Sequence, residues 1–112
     1  MPDLVYYNNI QIMPDLGQIT GFDWDEGNSL KSLDRHSVSQ AEAEQTFADE
    51  NLVLADDVRH SQDEARYHAL GRTAEGRLLH VTFTLRGNGK KIRVISARDM
   101  SRKERGIYEE EA

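Results

Sequence analysis

The stretch RLLHVTFTLRGNGKKIRVISA, residues 77–97, decides the fold class. Leu79, Val81, Phe83 and Leu85 alternate with His80, Thr82, Thr84 and Arg86, the period of two that gives a strand one buried and one polar face. Gly87-Asn88-Gly89 provides residues that tolerate positive φ, as a tight hairpin requires. Lys91–Ala97 then returns as a second strand, rich in β-branched residues. Just upstream, Arg66–Arg72 reads as a further strand and Thr73–Gly76 as its turn, so this half of the chain is an antiparallel meander. Just downstream, Ser101 and Glu104 form the capping box S-x-x-E and open a last helix with Ile107 and Tyr108 on its apolar side.

The other half reads differently. Residues 1–19 look like an extension, with Val5-Tyr6-Tyr7 and Ile10-Gln11-Ile12 as short strand candidates, and a single domain is expected from 20 to 112. Phe22-Asp23-Trp24-Asp25 is a short aromatic strand whose last residue suits a helix cap. Leu30 and Leu33 predict a first helix ending near His36-Ser37. Ser39 and Glu42 cap a second helix, with Val38 stapled onto Ala43, and Ala43 and Phe47 on one face. Leu52-Val53-Leu54 is expected as a short edge strand. The whole is an α+β domain, an antiparallel β-sheet with two N-terminal helices and one C-terminal helix packed on one face.

Composition narrows the function. A chain of 112 residues with no cysteine has neither a disulfide framework nor thiolate metal ligands. No apolar run approaches the length that spans a bilayer and no secretory signal is visible, so a cytoplasmic protein is expected. The net charge of -6 conceals an asymmetry. Residues 1–64 hold 3 basic and 14 acidic side chains, a balance of -11, whereas residues 65–105 hold 11 and 3, a balance of +8. Ten of the 14 basic residues are arginine, whose planar fork matches phosphate oxygens. A basic stripe on one half is the footprint of a nucleic-acid binder, though the same arginines also suit ion pairs with the acidic half.

No metal site or cofactor is expected. The four histidines show neither an i, i+4 pair on a helix nor H-E-x-x-H, and no glycine-rich loop precedes a helix. What remains is a set of arginine, histidine and tyrosine. Arg66 and His68 share one face of a strand, His80 and Arg86 lie on the polar face of the next, Arg93 and Arg98 follow, and Tyr108 sits on the closing helix. RNA cleavage needs a base for the 2′-hydroxyl, cations for the pentacoordinate phosphate and an acid for the 5′-oxygen, and this set contains groups for each task. The plainer roles are an internal ion pair for Arg93 and a core contact for Tyr108.

These motifs resemble a known family. F-D-W-D at 22–25, R-H-S-V at 35–38 and the helix ending at Phe47 are similar to the opening of BrnT-type toxins. Glu64-Ala65-Arg66, Leu70-Gly71, Gly76-Arg77-Leu78-Leu79, the block Ile92-Arg93-Val94-Ile95-Ser96-Ala97-Arg98, Glu104-Arg105 and Tyr108 follow the family's order over about residues 20–110. The resemblance implies a RelE-like fold and a ribonuclease toxin that inhibits translation. It also implies a BrnA-like ribbon–helix–helix antitoxin, which alone contacts operator DNA. By position it matches His36, Arg66, Arg93, Arg98 and Tyr108 to family residues, whose chemistry suits them to catalysis. His68, His80, Arg86, Lys90 and Lys91, on the basic half of the chain, are expected to contact RNA. His68 and His80 are alternatives to His36 in the proton role. The chain departs from the family where Asn28 replaces a lysine, Ser32 an asparagine and Ser37 a glycine. The first of these raises an alternative function, a weak or inactive binding module that sequesters the antitoxin and takes part in operon autoregulation.

Overall fold

The structure is a computed structural model that describes residues 4–7 (backbone only), 16–28, 36–57 and 64–111. Six strands form one sheet: β1 (Leu4–Tyr7), β2 (Gly21–Phe22), β3 (Val53–Asp57), β4 (Tyr67–Arg72), β5 (Leu78–Arg86) and β6 (Lys91–Asp99). Their order is β1-β3-β4-β5-β6-β2. Two α-helices, α1 (Gln40–Thr46) and α2 (Arg102–Glu111), and one 3-10 turn (Leu16–Gln18) complete the described elements.

The meander forms where the alternation predicted it, and β5 and β6 each run for nine residues. Asn88 takes φ 58° and Gly87 and Gly89 take 61° and 82°, so the hairpin uses the left-handed conformations those residues tolerate. Three features of the sheet differ from the expectation. It is mixed, because β2 pairs with β6 in parallel through Gly21 opposite Lys91 and Phe22 opposite Ile92. Residues 53–57 form an interior strand, because Leu4–Tyr7 pairs along the outer side of β3. The described helices also lie on opposite faces of the sheet.

That last point follows from side-chain parity. The main core joins Leu54, Ala69, Leu79, Val81 and Phe83 to Val38 and Ala43 of the α1 region. A second cluster joins Val53, Leu70 and Leu78, each one residue out of phase, to Met100, Ile107 and Tyr108. Neighbouring residues of a strand point to opposite faces, so α1 covers one side and α2 one end of the other. The predicted first helix is helical at residues 26–28, while Leu30 and Leu33 lie outside the described residues.

Local chemistry accounts for both helices. Ser39 Oγ accepts the Glu42 N–H and Glu42 Oε1 accepts the Ser39 N–H, both at 3.0 Å, which completes the capping box of α1. Phe47 caps the other end, its ring 5.7 Å from Phe22 and 5.0 Å from Phe83, the latter edge-on. Where α1 meets β4, Gly71 leaves no room for a side chain: a Cβ would stand 2.7 Å from both Thr46 Cγ2 and the Thr46 carbonyl oxygen. One irregularity matters for the site. Thr82 lies opposite Ser96 but Phe83 lies opposite Val94, so Ile95 is an extra residue in β6.

Candidate functional site

The face of the sheet shared with α2 is polar beyond the reach of that helix. Residues directly opposite in a ladder present their side chains to the same face. His68 opposes Thr82, Thr82 opposes Ser96, His80 opposes Arg98, Thr84 opposes Arg93, and Arg86 opposes Lys91. Arg93 and Arg98 are five positions apart, which strict alternation would send to opposite faces. The extra residue, Ile95, restores them to one.

Five charged or titratable groups form a continuous buried network there. Glu104, the third residue of α2 and part of its capping box, accepts the Ser101 N–H at 2.8 Å while Ser101 Oγ accepts the Glu104 N–H at 3.2 Å. Arg98 grips the same carboxylate with both arms, Nη1 to Oε1 and Nη2 to Oε2, each at 2.8 Å. Glu104 Oε2 lies 2.7 Å from His80 Nδ1, His80 Nε2 lies 2.6 Å from His68 Nδ1, and His68 Nε2 lies 2.9 Å from Asp57 Oδ2. Thr82 Oγ1 approaches His68 Nδ1 at 3.1 Å. Glu104 and His80 are 2% and 4% exposed, His68 12%, and Arg98 reaches the surface at 37%.

The electrostatics follow from this packing. Burial pushes the Glu104 carboxyl up, but hydrogen bonds from His80, Arg98 and the Ser101 backbone outweigh it and hold the group well below the usual carboxylate range. Burial lowers His68, Asp57 opposes that shift, and the nearby His80 charge adds to it, leaving His68 below the ordinary histidine value.

The remaining predicted residues are spread around this centre. Arg93 forms a two-armed ion pair with Asp25 at 2.9 and 3.1 Å, with Asp23 at 3.6 Å, which is the plainer role that its sequence position left open. Arg86 pairs with Glu64 at 3.1 Å, and Lys90 and Lys91 are exposed beside the hairpin. Arg66 is half-buried just before β4, and its carbonyl accepts the Asp57 N–H. Tyr108 is 2% exposed and its hydroxyl donates to Asp49 Oδ2 at 2.5 Å; burial and that bond push the phenol up to about 12. His36 is separated from all of these. Its carbonyl accepts from Arg77, which also binds the Ser37 carbonyl, Glu42 and Asp99. Arg77 and Asp99 alternate with Leu78 and Arg98, so this cluster issues from the side of the sheet that carries α1.

Sequence reasoning missed Asp57, and saw in Glu104 a helix cap and part of a family motif but no partner for a histidine. Neither has a local signal for its second role, since Asp57 is one acid of the pair Asp56-Asp57 and its partner is 11 residues away. Asn28, at the position where the resemblance implies a lysine, is 4% exposed and structural in this chain. Its Oδ1 accepts the Asp25 N–H at 2.7 Å, while Nδ2 donates to the carbonyls of Asp23 and Val94 at 3.0 and 2.9 Å. Asp25 Oδ1 in turn accepts the Gly27 and Asn28 N–H groups, so one cap orients the carboxylate that holds Arg93.

Among the described residues no cluster of His, Asp and Glu is arranged to hold a metal ion. No helix among them is long and apolar enough to cross a membrane. A search of curated proteins found no match. The family model for "Ribonuclease toxin, BrnT, of type II toxin-antitoxin system" matches residues 24–104, a span that opens on Trp24 beside the Asp25 cap and closes on Glu104 at the centre of the network. The chain therefore belongs to the BrnT family, ribonuclease toxins of type II toxin–antitoxin systems, with RNA as substrate and an antitoxin as partner.

Proposed function

We propose that this chain cleaves RNA on the polar face of the sheet without a metal ion, and so inhibits translation in the cytoplasm. A cognate BrnA-like ribbon–helix–helix antitoxin would silence it, and operator DNA would be reached only through that antitoxin. A RelE-like arrangement of residues 20–112 belongs to the same reading. One observation carries it: Arg98 is locked by Glu104 beside a histidine pair, yet its side chain is 37% exposed. A cation fixed in advance stabilises the charge that develops on a pentacoordinate phosphate at little reorganisation cost. Arg66 and Arg93 flank it as phosphate contacts, with Arg86, Lys90 and Lys91 along the RNA path and Tyr108 shaping the end under α2. His68, the more exposed of the histidine pair, takes the proton role in place of His36, which lies across the sheet. Delivery of its proton requires His68 to exchange Asp57 for the leaving oxygen.

The test is cleavage of a long RNA transcript by the purified protein in EDTA. Fragments with 2′,3′-cyclic phosphate ends are expected, and Arg98→Ala should slow their appearance by about 100-fold. Intact RNA, with and without Mg²⁺, overturns the reading.

A second reading is favoured by the internal pairing of Arg86, Arg93 and Arg98 with Glu64, Asp25 and Glu104. On that reading the chain is an inactive module that sequesters the antitoxin. Growth arrest on expression, relieved by Arg98→Ala, supports the nuclease; harmless expression with intact antitoxin binding supports the module.

A further inference from the structure

The protons of the buried network can be counted. A carboxylate only accepts, so His80 Nδ1, facing Glu104, and His68 Nε2, facing Asp57, must each carry a hydrogen if both contacts are favourable. Between the rings, His68 Nδ1 and His80 Nε2 approach to 2.6 Å, a contact that holds one hydrogen and not two. Three hydrogens on four ring nitrogens make the pair a single cation, whichever ring formally bears the charge. With Arg98 it balances the charges of Asp57 and Glu104, so the five groups named sum to zero. That balance offsets part of the cost of burying Asp57, His80 and Glu104. The competing assignment leaves both rings neutral, with His80 Nδ1 accepting from Arg98 Nη2, which stands 2.7 Å away. It sets the lone pair of Nδ1 against Glu104 Oε2 at the same 2.7 Å, with nothing between them to offset the repulsion. The cationic assignment sets two donors, Nδ1 and Arg98 Nη2, 2.7 Å apart, but Glu104 Oε2 lies within 2.8 Å of both and accepts from each.

We infer that His68 and His80 hold one excess proton between them, and that Glu104 and Asp57 are positioning residues which keep that proton in place and Arg98 aimed at the polar face. The inference rests on the proposed role of Arg98 in RNA cleavage, and it deepens that role. Among the described residues, the groups that meet in these contacts are Asp57 from β3, His68 from β4, His80 and Thr82 from β5, Arg98 from β6 and Glu104 from α2.

The experiment is nitrogen-15 NMR on the full chain near neutral pH, with Glu104→Gln as the variant and Asp57→Asn as a second should the first not fold. Three protonated ring nitrogens on His68 and His80, and resolved, slowly rotating Nη signals from Arg98, are expected in the wild type. In either variant the excess proton should be lost at the same pH, and in Glu104→Gln the Arg98 signals should merge as the guanidinium turns freely. Two neutral rings in the wild type, or Arg98 signals unchanged in Glu104→Gln, overturn the inference. In the RNA assay Glu104→Gln should lower kcat at least 10-fold with KM within 2-fold, and should shift the pH profile. A wild-type profile overturns the positioning role, since mere loss of stability would not move it. Should the wild type cleave no RNA, the nuclease reading falls while the NMR signals still decide the proton and the grip on Arg98.

Discussion

Replacing Asn28 by alanine tests whether this position, where the family has a lysine, is structural in this chain. Asn28 is 4% exposed and satisfies the Asp25 N–H and the carbonyls of Asp23 and Val94. Truncation leaves the Val94 carbonyl, in a fully buried residue of β6, without its partner, at about 1–3 kcal/mol for a group that water does not reach. The Asp23 carbonyl and the Asp25 N–H belong to a half-buried and an exposed residue, which water reaches more readily, so each adds only a part of that. The expected loss is therefore about 3 kcal/mol. With a urea m-value of about 1.5 kcal/mol/M the unfolding midpoint falls by about 2 M. Asn28→Lys keeps donors for the two carbonyls and offers no acceptor only to the Asp25 N–H, so a smaller loss than for alanine is expected. The assay is urea unfolding followed by circular dichroism at pH 7. A midpoint for Asn28→Ala within about 0.3 M of wild type, at unchanged m-value, would refute the claim that the cap ties this segment to β6.

Three further outcomes are expected. Gly71→Ala forces a Cβ into Thr46 and should cost about 1–3 kcal/mol, read as a fall in Tm of about 4–12 °C; an unchanged Tm means that α1 yields to the clash. Tyr108, at about 12, ionises near 10 when unfolded, so its contribution is present below pH 10 and lost as pH rises toward 12. Tyr108→Phe should be less stable at pH 8 and should lack that alkaline loss; a variant that keeps the loss refutes the assignment. His68 lies below the ordinary histidine value of 6.5 and Glu104 below 4.5, so the unfolded chain takes up protons first. Stability should fall as pH drops below 6.5, and again below 4.5. Denaturant midpoints from pH 8 to pH 3 check this, and a flat profile between 6.5 and 5 in the wild type contradicts the first step.

Much of the fold was readable because its signals are local. The alternation at 79–86, the glycines at 87 and 89 and the capping boxes at Ser39 and Ser101 each act within a few residues, and the structure forms each as the spacing dictates. The errors arose where pairing is long-range. Nothing near Leu52 announces that Leu4–Tyr7 covers the outer side of β3, and nothing near Gly21 announces a parallel pairing with a strand 70 residues away. The first made an edge strand of an interior one, and the second made a mixed sheet look antiparallel. The assignment of helices to one face failed because a helix's apolar stripe does not say which side of the sheet it meets.

The same division holds for the site. Side-chain chemistry alone narrowed the catalytic candidates to arginine, histidine and tyrosine, because the chain has no cysteine and its sequence shows no H-E-x-x-H pattern. Alternation also determined that His80, Thr82 and Thr84 define a polar strand position, since a period of two is a property of extended backbone. Tertiary structure decided which of these groups meet. The extra residue Ile95 turned Arg93 and Arg98 to one face, where pattern reading would have split them. Ion pairing tied Arg93 to Asp25, and strand parity left His36 on the far side of the sheet. Asp57 and Glu104 became partners of the two histidines only when β3 and α2 were brought against β4 and β5. Their role is a balance of buried charge, and that balance exists only when all the groups are in place.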